Sequence, residues 1–139
     1  MASGSAVTIT GGTNMTQVVA GSDTIAAADF NNARTNVNTL LSGAADVTLG
    51  TFTVASTYGW NQGGAGVSAA SAGNTVQDTG AGGFKDLQDD VQAMCAFLGQ
   101  TVRSGVGSDV STSDTITAAT WNNLMLNVKD CWDNRFSPA

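Results

Sequence analysis

Three stretches of the chain place apolar residues at the three- and four-residue spacing of amphipathic helices. The first stretch runs from Phe30 to Leu41, with Gly43 as its predicted stop. The second begins near Phe84, and the third begins just before Trp121. The core expected from these stripes consists of Phe30, Val37, Leu40, Leu87, Val91, Met94, Leu98, Trp121, Leu124, Val128 and Trp132.

The second stripe has the spacing of a coiled-coil seam. Its apolar positions alternate by three and four residues over two heptads, which suits packing between chains as well as packing within one domain. Both interpretations stay open at this point. Cys95 and Val102 widen the stripe, as a helix buried within a domain requires.

Strand signals lie between the helices. Residues 7–10, 18–19 and 47–54 are rich in Val, Thr and Ile, and a bulge near Gly50 would reconcile the two phases of the last run. We therefore predict a single α+β domain over residues 1–139, with three helices on a small antiparallel sheet. Residues 1–21 are a possible N-terminal arm that pairs with a neighbouring sheet edge.

A low-complexity segment of Gly, Ala, Ser and Asn occupies residues 59–83. It contains too little apolar material to fold alone. We interpret it as a loop, or as an arm that becomes ordered against a neighbouring subunit.

An internal repeat relates the first and third helices. Residues 22–38 read SDTIAAADFNNARTNVN and residues 113–129 read SDTITAATWNNLMLNVK, with ten of seventeen positions identical at an offset of 91. In the second copy Thr117 is the predicted N-cap, with Ile116 and Trp121 as a hydrophobic staple. The first copy has Ala26, a poor cap, at the equivalent position.

Composition changes the functional picture. Only 12% of the residues are charged, against a typical ~25%. The eleven acids are all Asp, His is absent, and the net charge is −6. The lack of His removes Ser-His-Asp and Cys-His catalysis and most zinc sites. The negative charge opposes nucleic-acid binding.

A charge-poor exterior favours protein partners. A solvated surface normally carries about 25–35% charged residues, so we expect self-association, with a secreted or halophilic surface as the alternative. No run approaches the ~20 apolar residues of a membrane span. The N-terminus lacks the basic and apolar regions of a secretory signal, so we expect folding in a cytoplasm.

Acidic pairs are the first candidates for chemistry. Asp86, Asp89 and Asp90 could serve acid–base work or bind a divalent metal, but nothing convergent accompanies them. We predict that they face solvent, as do Asp130 and Asp133. The glycine-rich run at 63–66 lacks the following helix and Lys of a phosphate loop. No catalytic residue, cofactor or metal is therefore predicted.

The cysteines and one aromatic group remain. Cys95 and Cys131 fall on apolar helix faces, where free Cys behaves as a small hydrophobe, and a disulfide is the alternative. Trp60 is not explained by a helix. Together with its neighbours it could contact a sugar or a partner subunit, and the partner fits the rest of the chain better. The predicted contact residues are Tyr58, Trp60, Asn61 and Gln62.

The helix openings SDTITAATWNNL and SDTIAAADFNNA resemble those of small structural proteins of tailed bacteriophages, particularly marine cyanophages. The segments STYGWNQGGAGVSAAS and FKDLQDDVQAMCAFLGQ resemble uncharacterised virion proteins of such phages. The resemblance implies a non-enzymatic virion component made in the host cytoplasm, and it brings no site residues.

Two placements on the virion are open. The chain would be a capsid decoration protein, or a subunit of the tail, neck or fibre base. A carbohydrate-binding module with Trp60 at its site is the alternative from another class.

Overall fold

The described part of the chain forms two short strands followed by three helices. The computed structural model describes residues 2–41, 83–108 and 115–135. These residues form a small α+β fold, as predicted. Its elements are β1 at Ala6–Val7, β2 at Met15–Thr16, α1 at Ala27–Leu41, α2 at Phe84–Leu98 and α3 at Ala118–Asp133.

The two strands form an antiparallel hairpin. Ala6 lies opposite Thr16 and Val7 opposite Met15. The pairing continues outside the strands, because the Gly4 amide donates to the Gln17 carbonyl at 2.7 Å. Residues 2–21 thus lie against the helices of their own chain, with Val7 and Met15 buried in the shared core.

The strand predictions were confirmed only in part. Of residues 7–10 only Val7 belongs to a strand, because the chain turns at Ile9, whose amide donates to the Asn14 side chain at 2.9 Å. Residues 18–19 form no strand, since the backbone of Val18 binds a helix side chain instead. The predicted strand at 47–54, Gly43 and nearly all of the 59–83 segment lie outside the described residues.

One cluster of buried residues joins the hairpin and the three helices. All eleven predicted core residues belong to it, and residues that the helical stripes did not indicate complete it. The α2 stripe is buried by its own chain, from Phe84 at 0% to Leu98 at 2% exposed. Packing within the fold therefore accounts for that seam. The additional members from the hairpin and the loop after α2 are Val7, Ile9, Met15, Val18 and Val106.

Val102 does not extend the α2 stripe. The helix ends at Leu98, because Gly99 adopts the left-handed conformation at φ 66° and donates to the Cys95 carbonyl. Val102 lies beyond this stop and is 37% exposed. The predicted contribution of Val102 to the core is wrong, whereas that of Cys95 is confirmed.

Both copies of the repeat begin a helix at the equivalent alanine, Ala27 or Ala118. In the second copy the Thr117 hydroxyl accepts from the Thr120 amide at 3.2 Å, as the cap prediction requires. In the first copy the Asp29 carboxylate accepts from the Ala26 amide at 2.8 Å, which is the return bond of a capping box. This bond compensates for the missing side-chain cap at Ala26.

Trp121 is the largest fully buried side chain among the residues that the structure describes. Its ring stacks on Phe84 with centroids 5.9 Å apart, which ties the first turn of α3 to the first turn of α2. Partly buried Ile116 packs against the same core, as a hydrophobic staple does.

The substitution Trp121→Ala should lower the free energy of unfolding by about 3–5 kcal/mol, because it removes a buried indole and leaves a cavity. Chemical denaturation measures this. Val102→Ala is the matched control and should change stability by less than about 0.5 kcal/mol, since Val102 is exposed. A loss below about 1 kcal/mol for Trp121→Ala would show that the indole is not packed as described.

Candidate functional site

The predicted aromatic contact group lies outside the described residues. It consists of Tyr58, Trp60, Asn61 and Gln62. The described residues offer two other candidates. One is a set of polar side chains buried between the helices and strands, and the other is the exposed surface of these elements.

The aspartates of α2 do not lie as predicted. Asp86 is 1% and Asp90 0% exposed, so their assignment to a solvated face is wrong. The helix is buried well beyond its apolar stripe, because other parts of the chain cover its polar side. Each of these two residues takes part in at least one hydrogen-bonding or electrostatic interaction. Asp89 is half-buried and pairs with Lys85 at 2.8 Å.

Within residues 2–41, 83–108 and 115–135, no three acidic, His or Cys side chains converge in a way that could hold a metal ion. No helix in these ranges combines the length and apolar character needed to cross a membrane.

Asn122 on α3 binds both polar backbone groups of Val18, the amide and the carbonyl. Its Oδ1 accepts from the Val18 amide at 2.9 Å, and its Nδ2 donates to the Val18 carbonyl at 3.0 Å. A carboxamide thus replaces the neighbouring strand that Val18 lacks. The contact joins residues 104 positions apart. We call such a paired contact a carboxamide clamp.

Asn36 on α1 makes the same clamp on Thr13. Its Oδ1 accepts from the Thr13 amide at 2.9 Å, and its Nδ2 donates to the Thr13 carbonyl at 2.7 Å. Asn36 is only 1% exposed, so these bonds satisfy a polar group inside the core. The two clamps lie on either side of β2, at Thr13 and Val18.

Asn127 on α3 holds a second segment. Its Oδ1 accepts from the Arg103 amide at 2.8 Å, and its Nδ2 donates to the Thr101 carbonyl at 2.9 Å. Asn127 is the repeat counterpart of Asn36, 91 residues away. Both copies of the repeat therefore use the same buried asparagine to bind backbone.

Residues 101–108, the loop after α2, are fixed by further amides. Gln88, fully buried on α2, donates to the carbonyls of Val106 at 3.2 Å and Ser108 at 2.9 Å. Gly105 has φ +84°, and a Cβ there would lie 2.5 Å from Thr120 Oγ1. A larger residue at Gly105 would therefore push the loop off α3.

Asp23 ties the N-terminal residues to the turn before α1. Its carboxylate accepts from the Ser3 amide at 2.7 Å, the Ser3 hydroxyl at 2.7 Å and the Val19 amide at 2.8 Å. These bonds, the Ser3 hydroxyl first, lower the pKa of Asp23 below its ordinary value of 3.8. At the other end of the hairpin, Trp132 Nε1 donates to the Thr10 carbonyl at 2.8 Å.

The exterior of the described residues carries few charges, and the partly exposed Lys85 and Lys129 are each paired with an aspartate. Of the exposed residues only Arg103 and Asp133 are charged, and each is already paired, with Asp130 and Lys129 respectively. Nearly all the other exposed residues are Ser, Thr, Gly or Ala. Asp133 thus faces solvent as predicted, whereas Asp130 is part of a two-bond contact with Arg103.

Cys95 and Cys131 face each other between α2 and α3. Both are free thiols at 0% exposure, with sulfurs 3.6 Å apart. The predicted location of both cysteines on apolar helix faces is confirmed. The hydrogen bond from Cys131 lowers the pKa of Cys95 against the effect of burial, whereas the same bond and burial raise the pKa of Cys131.

Sequence reasoning missed the asparagines. Asn is a poor helix former, yet both copies of the repeat keep it inside the helix. An asparagine that both copies share inside a helix, although Asn disfavours helices, is the signal that could have revealed the clamps. The repeated pairs are Asn31 with Asn122, Asn32 with Asn123 and Asn36 with Asn127.

Comparison of the chain with protein-family models, with curated proteins and with solved structures found no match. Functional inference therefore depends on the residues and their geometry.

The substitution Asn122→Asp should lower the free energy of unfolding by about 1–3 kcal/mol. The carboxylate keeps the size of the side chain and the bond from the Val18 amide, but it places a negative oxygen against the Val18 carbonyl. Urea denaturation measures the loss.

The control Asn32→Asp adds the same charge to α1, where the side chain makes no hydrogen bond to a described residue. It should change stability by less than about 0.5 kcal/mol. Equal effects of the two substitutions would mean that the clamp on Val18 contributes nothing specific.

Acid should release the N-terminal residues from Asp23. Because the folded pKa of Asp23 is lowered, its stabilising effect is present above pH 3.8 and is lost as the pH falls through the folded pKa. Amide exchange at Ser3 and Val19, corrected for its intrinsic pH dependence, should therefore speed up in that window. In Asp23→Asn the same two amides should show no such step. A carboxyl titration at or above 3.8 would contradict the contact.

Proposed function

We propose that the chain is a non-enzymatic structural subunit of a tailed-phage virion, and that it serves as a capsid decoration protein. The observation that carries the proposal is the charge-poor exterior: of the residues classed as exposed in the described part of the chain, only Arg103 and Asp133 are charged. A solvated protein keeps itself apart from its neighbours with surface charge. A surface of small neutral side chains is suited to close packing against other subunits.

The basic residues support protein partners over nucleic acid. Lys85, Arg103 and Lys129 each pair with an aspartate of the same chain, and Arg135 lies over the Trp132 ring at 5.2 Å. Counterion release needs cations that are free to approach phosphates. These four side chains therefore do not form a basic patch that could bind phosphates.

The way the chain is held together also favours an assembly role. Neutral side chains hold the hairpin and the loop after α2, because they bind the backbone of Val18, Thr13 and Arg103. Hydrogen bonds between neutral groups do not weaken with ionic strength as exposed ion pairs do. A virion subunit meets large changes of salt between the host and the medium, and such bonds suit it.

The placement as a decoration protein rests on the same exterior, whose small neutral side chains suit a subunit that covers a capsid surface. A subunit of the tail, neck or fibre base is the alternative within the same class, and a closed ring would favour it. Neither placement requires a cofactor, a metal or a membrane.

Light scattering after size exclusion, at several protein concentrations, tests the proposal. We expect a closed homo-oligomer. A trimer would place the chain at a fibre base or a local three-fold site of the capsid, and a ring of six or more at the neck or tail.

Charge variants should locate the interface. Thr8→Lys, Ala28→Lys, Ala96→Lys and Ala119→Lys each put one cation on an exposed position of the hairpin, α1, α2 and α3, respectively. At least one should raise the dissociation constant of the oligomer about tenfold or more with little change in melting temperature, since burying an unpaired charge is costly. The other variants serve as its matched controls.

A stable monomer that binds oligosaccharides on a glycan array, with binding lost in Trp60→Ala, would overturn the proposal in favour of a carbohydrate-binding module. A monomer that binds neither glycans nor capsids of its phage would overturn it outright.

A further inference from the structure

We propose that Cys95 and Cys131 form an oxidisable dithiol, a modification site at which a hydroperoxide converts two buried thiols into a disulfide between α2 and α3. The inference is independent of the virion proposal, because it rests only on the two sulfurs and the helices that carry them.

Geometry is the first reason. The Sγ atoms lie 3.6 Å apart, against about 2.05 Å in a disulfide, so a small side-chain rotation closes most of the gap. Both thiols are 0% exposed, and each is enclosed by the core of its own chain. An intermolecular disulfide is therefore excluded unless the fold opens.

Ionisation is the second reason. Attack on a peroxide requires a thiolate, and the hydrogen bond donated by Cys131 favours that form at Cys95. Arg103 acts in the same direction, whereas Asp130 opposes it. Cys131 retains its proton, because its own pKa is raised. Because Cys95 also lies one turn before the end of α2, we assign the first attack to Cys95 and the resolving step to Cys131.

The chemistry proceeds in two balanced steps. The Cys95 thiolate attacks one oxygen of hydrogen peroxide, the O–O bond breaks, and the leaving hydroxide takes up a proton to become water. The sulfur of Cys131 then attacks the sulfenic sulfur of Cys95. The S–S bond forms, the S–O bond breaks, and the hydroxide leaves as water with the proton from Cys131. Two thiols and one peroxide give one disulfide and two waters.

Access is provided at the end of α2. Cys95 lies one turn before the helix stop, and its carbonyl accepts from the amides of Gly99 and Gln100. The exposed residues 101–104 that follow are held to α3 by Asn127 and Asp130. Helix ends and exposed loops open at the lowest cost in free energy, so a small oxidant can enter here without global unfolding.

The disulfide would close a loop between positions 36 apart in the chain. Such a cross-link restricts the unfolded chain, so the oxidised protein should melt higher than the reduced protein by about 5–15 °C. The link would fasten α2 to α3 on the side of the core away from the stacked pair of Phe84 and Trp121.

The experiment compares the full chain after phosphine reduction and after exposure of the folded protein to dilute hydrogen peroxide, with the remaining thiols alkylated under denaturing conditions. We expect a mass loss of two hydrogens, no alkylation, and a tryptic peptide 86–103 linked to peptide 130–135. We also expect the rise in melting temperature, reversed by phosphine.

Cys95→Ala and Cys131→Ala are the matched controls, because each removes one sulfur with little change in shape. Their melting temperature should not rise with peroxide, and this comparison also accounts for oxidation of Met94. If either variant fails to fold, the reduced and oxidised natural chains still decide the question.

Three results would overturn the inference. The first is a folded protein whose two thiols are both still alkylated after peroxide, and the second is oxygen added to each sulfur without a link. The third is a linked pair with a lowered melting temperature, which would mean that the helices cannot accommodate the bond.

Discussion

The clamp of Asn122 on Val18 is the contact on which the arrangement of the elements depends. Each strand of the hairpin has two residues, and an isolated hairpin of that length is not stable in water. Its apolar side chains are nevertheless part of the core, so something else must hold its backbone. Asn122 does so from α3 and Asn36 from α1, one on each side of β2. Side chains of the two helices therefore make the backbone hydrogen bonds that further strands would make in a larger sheet, and they hold the hairpin against the core.

Neutral amides carry out this task at lower cost than charges would. A buried ionised group loses a large hydration energy, whereas a carboxamide with both its donor and its acceptor bound loses little. The same preference extends to the loop after α2, which Gln88 and Asn127 hold. The backbone of Val18 and Thr13 is thus held to the helices without charged side chains. The charge-poor exterior is the basis of the proposed assembly role.

The sequence allowed prediction of the parts of this fold that depend on local periodicity. The three stripes, the cap at Thr117 and the staple at Trp121 involve residues within a few positions of each other, so pattern is enough. The strand at residues 18–19 was predicted wrongly because the partner of Val18 lies 104 residues away and is a side chain. Val102 was assigned to α2 because its spacing fits, although Gly99 ends the helix first. Asp86 and Asp90 were predicted to face solvent because an apolar stripe does not indicate what covers the opposite face of the helix.

The candidate site was less predictable. The aromatic group lies outside the described residues. The only sequence signal for the asparagines was that both copies of the repeat keep Asn inside a helix, although Asn disfavours helices.

The repeat shows why the clamp survives where other contacts differ. Asn36 and Asn127 occupy the same position in the two copies, yet one binds a hairpin and the other a loop. A carboxamide recognises an amide and a carbonyl, which every residue except proline offers, so it places no demand on the side chains of the segment it holds. Burial supplies the remaining specificity. Met15 and Val106 are also 91 residues apart, and both are buried beside the clamped backbone. In each copy a clamp and a buried apolar side chain are thus part of what holds the segment, so two similar helices organise two different neighbours in a single core.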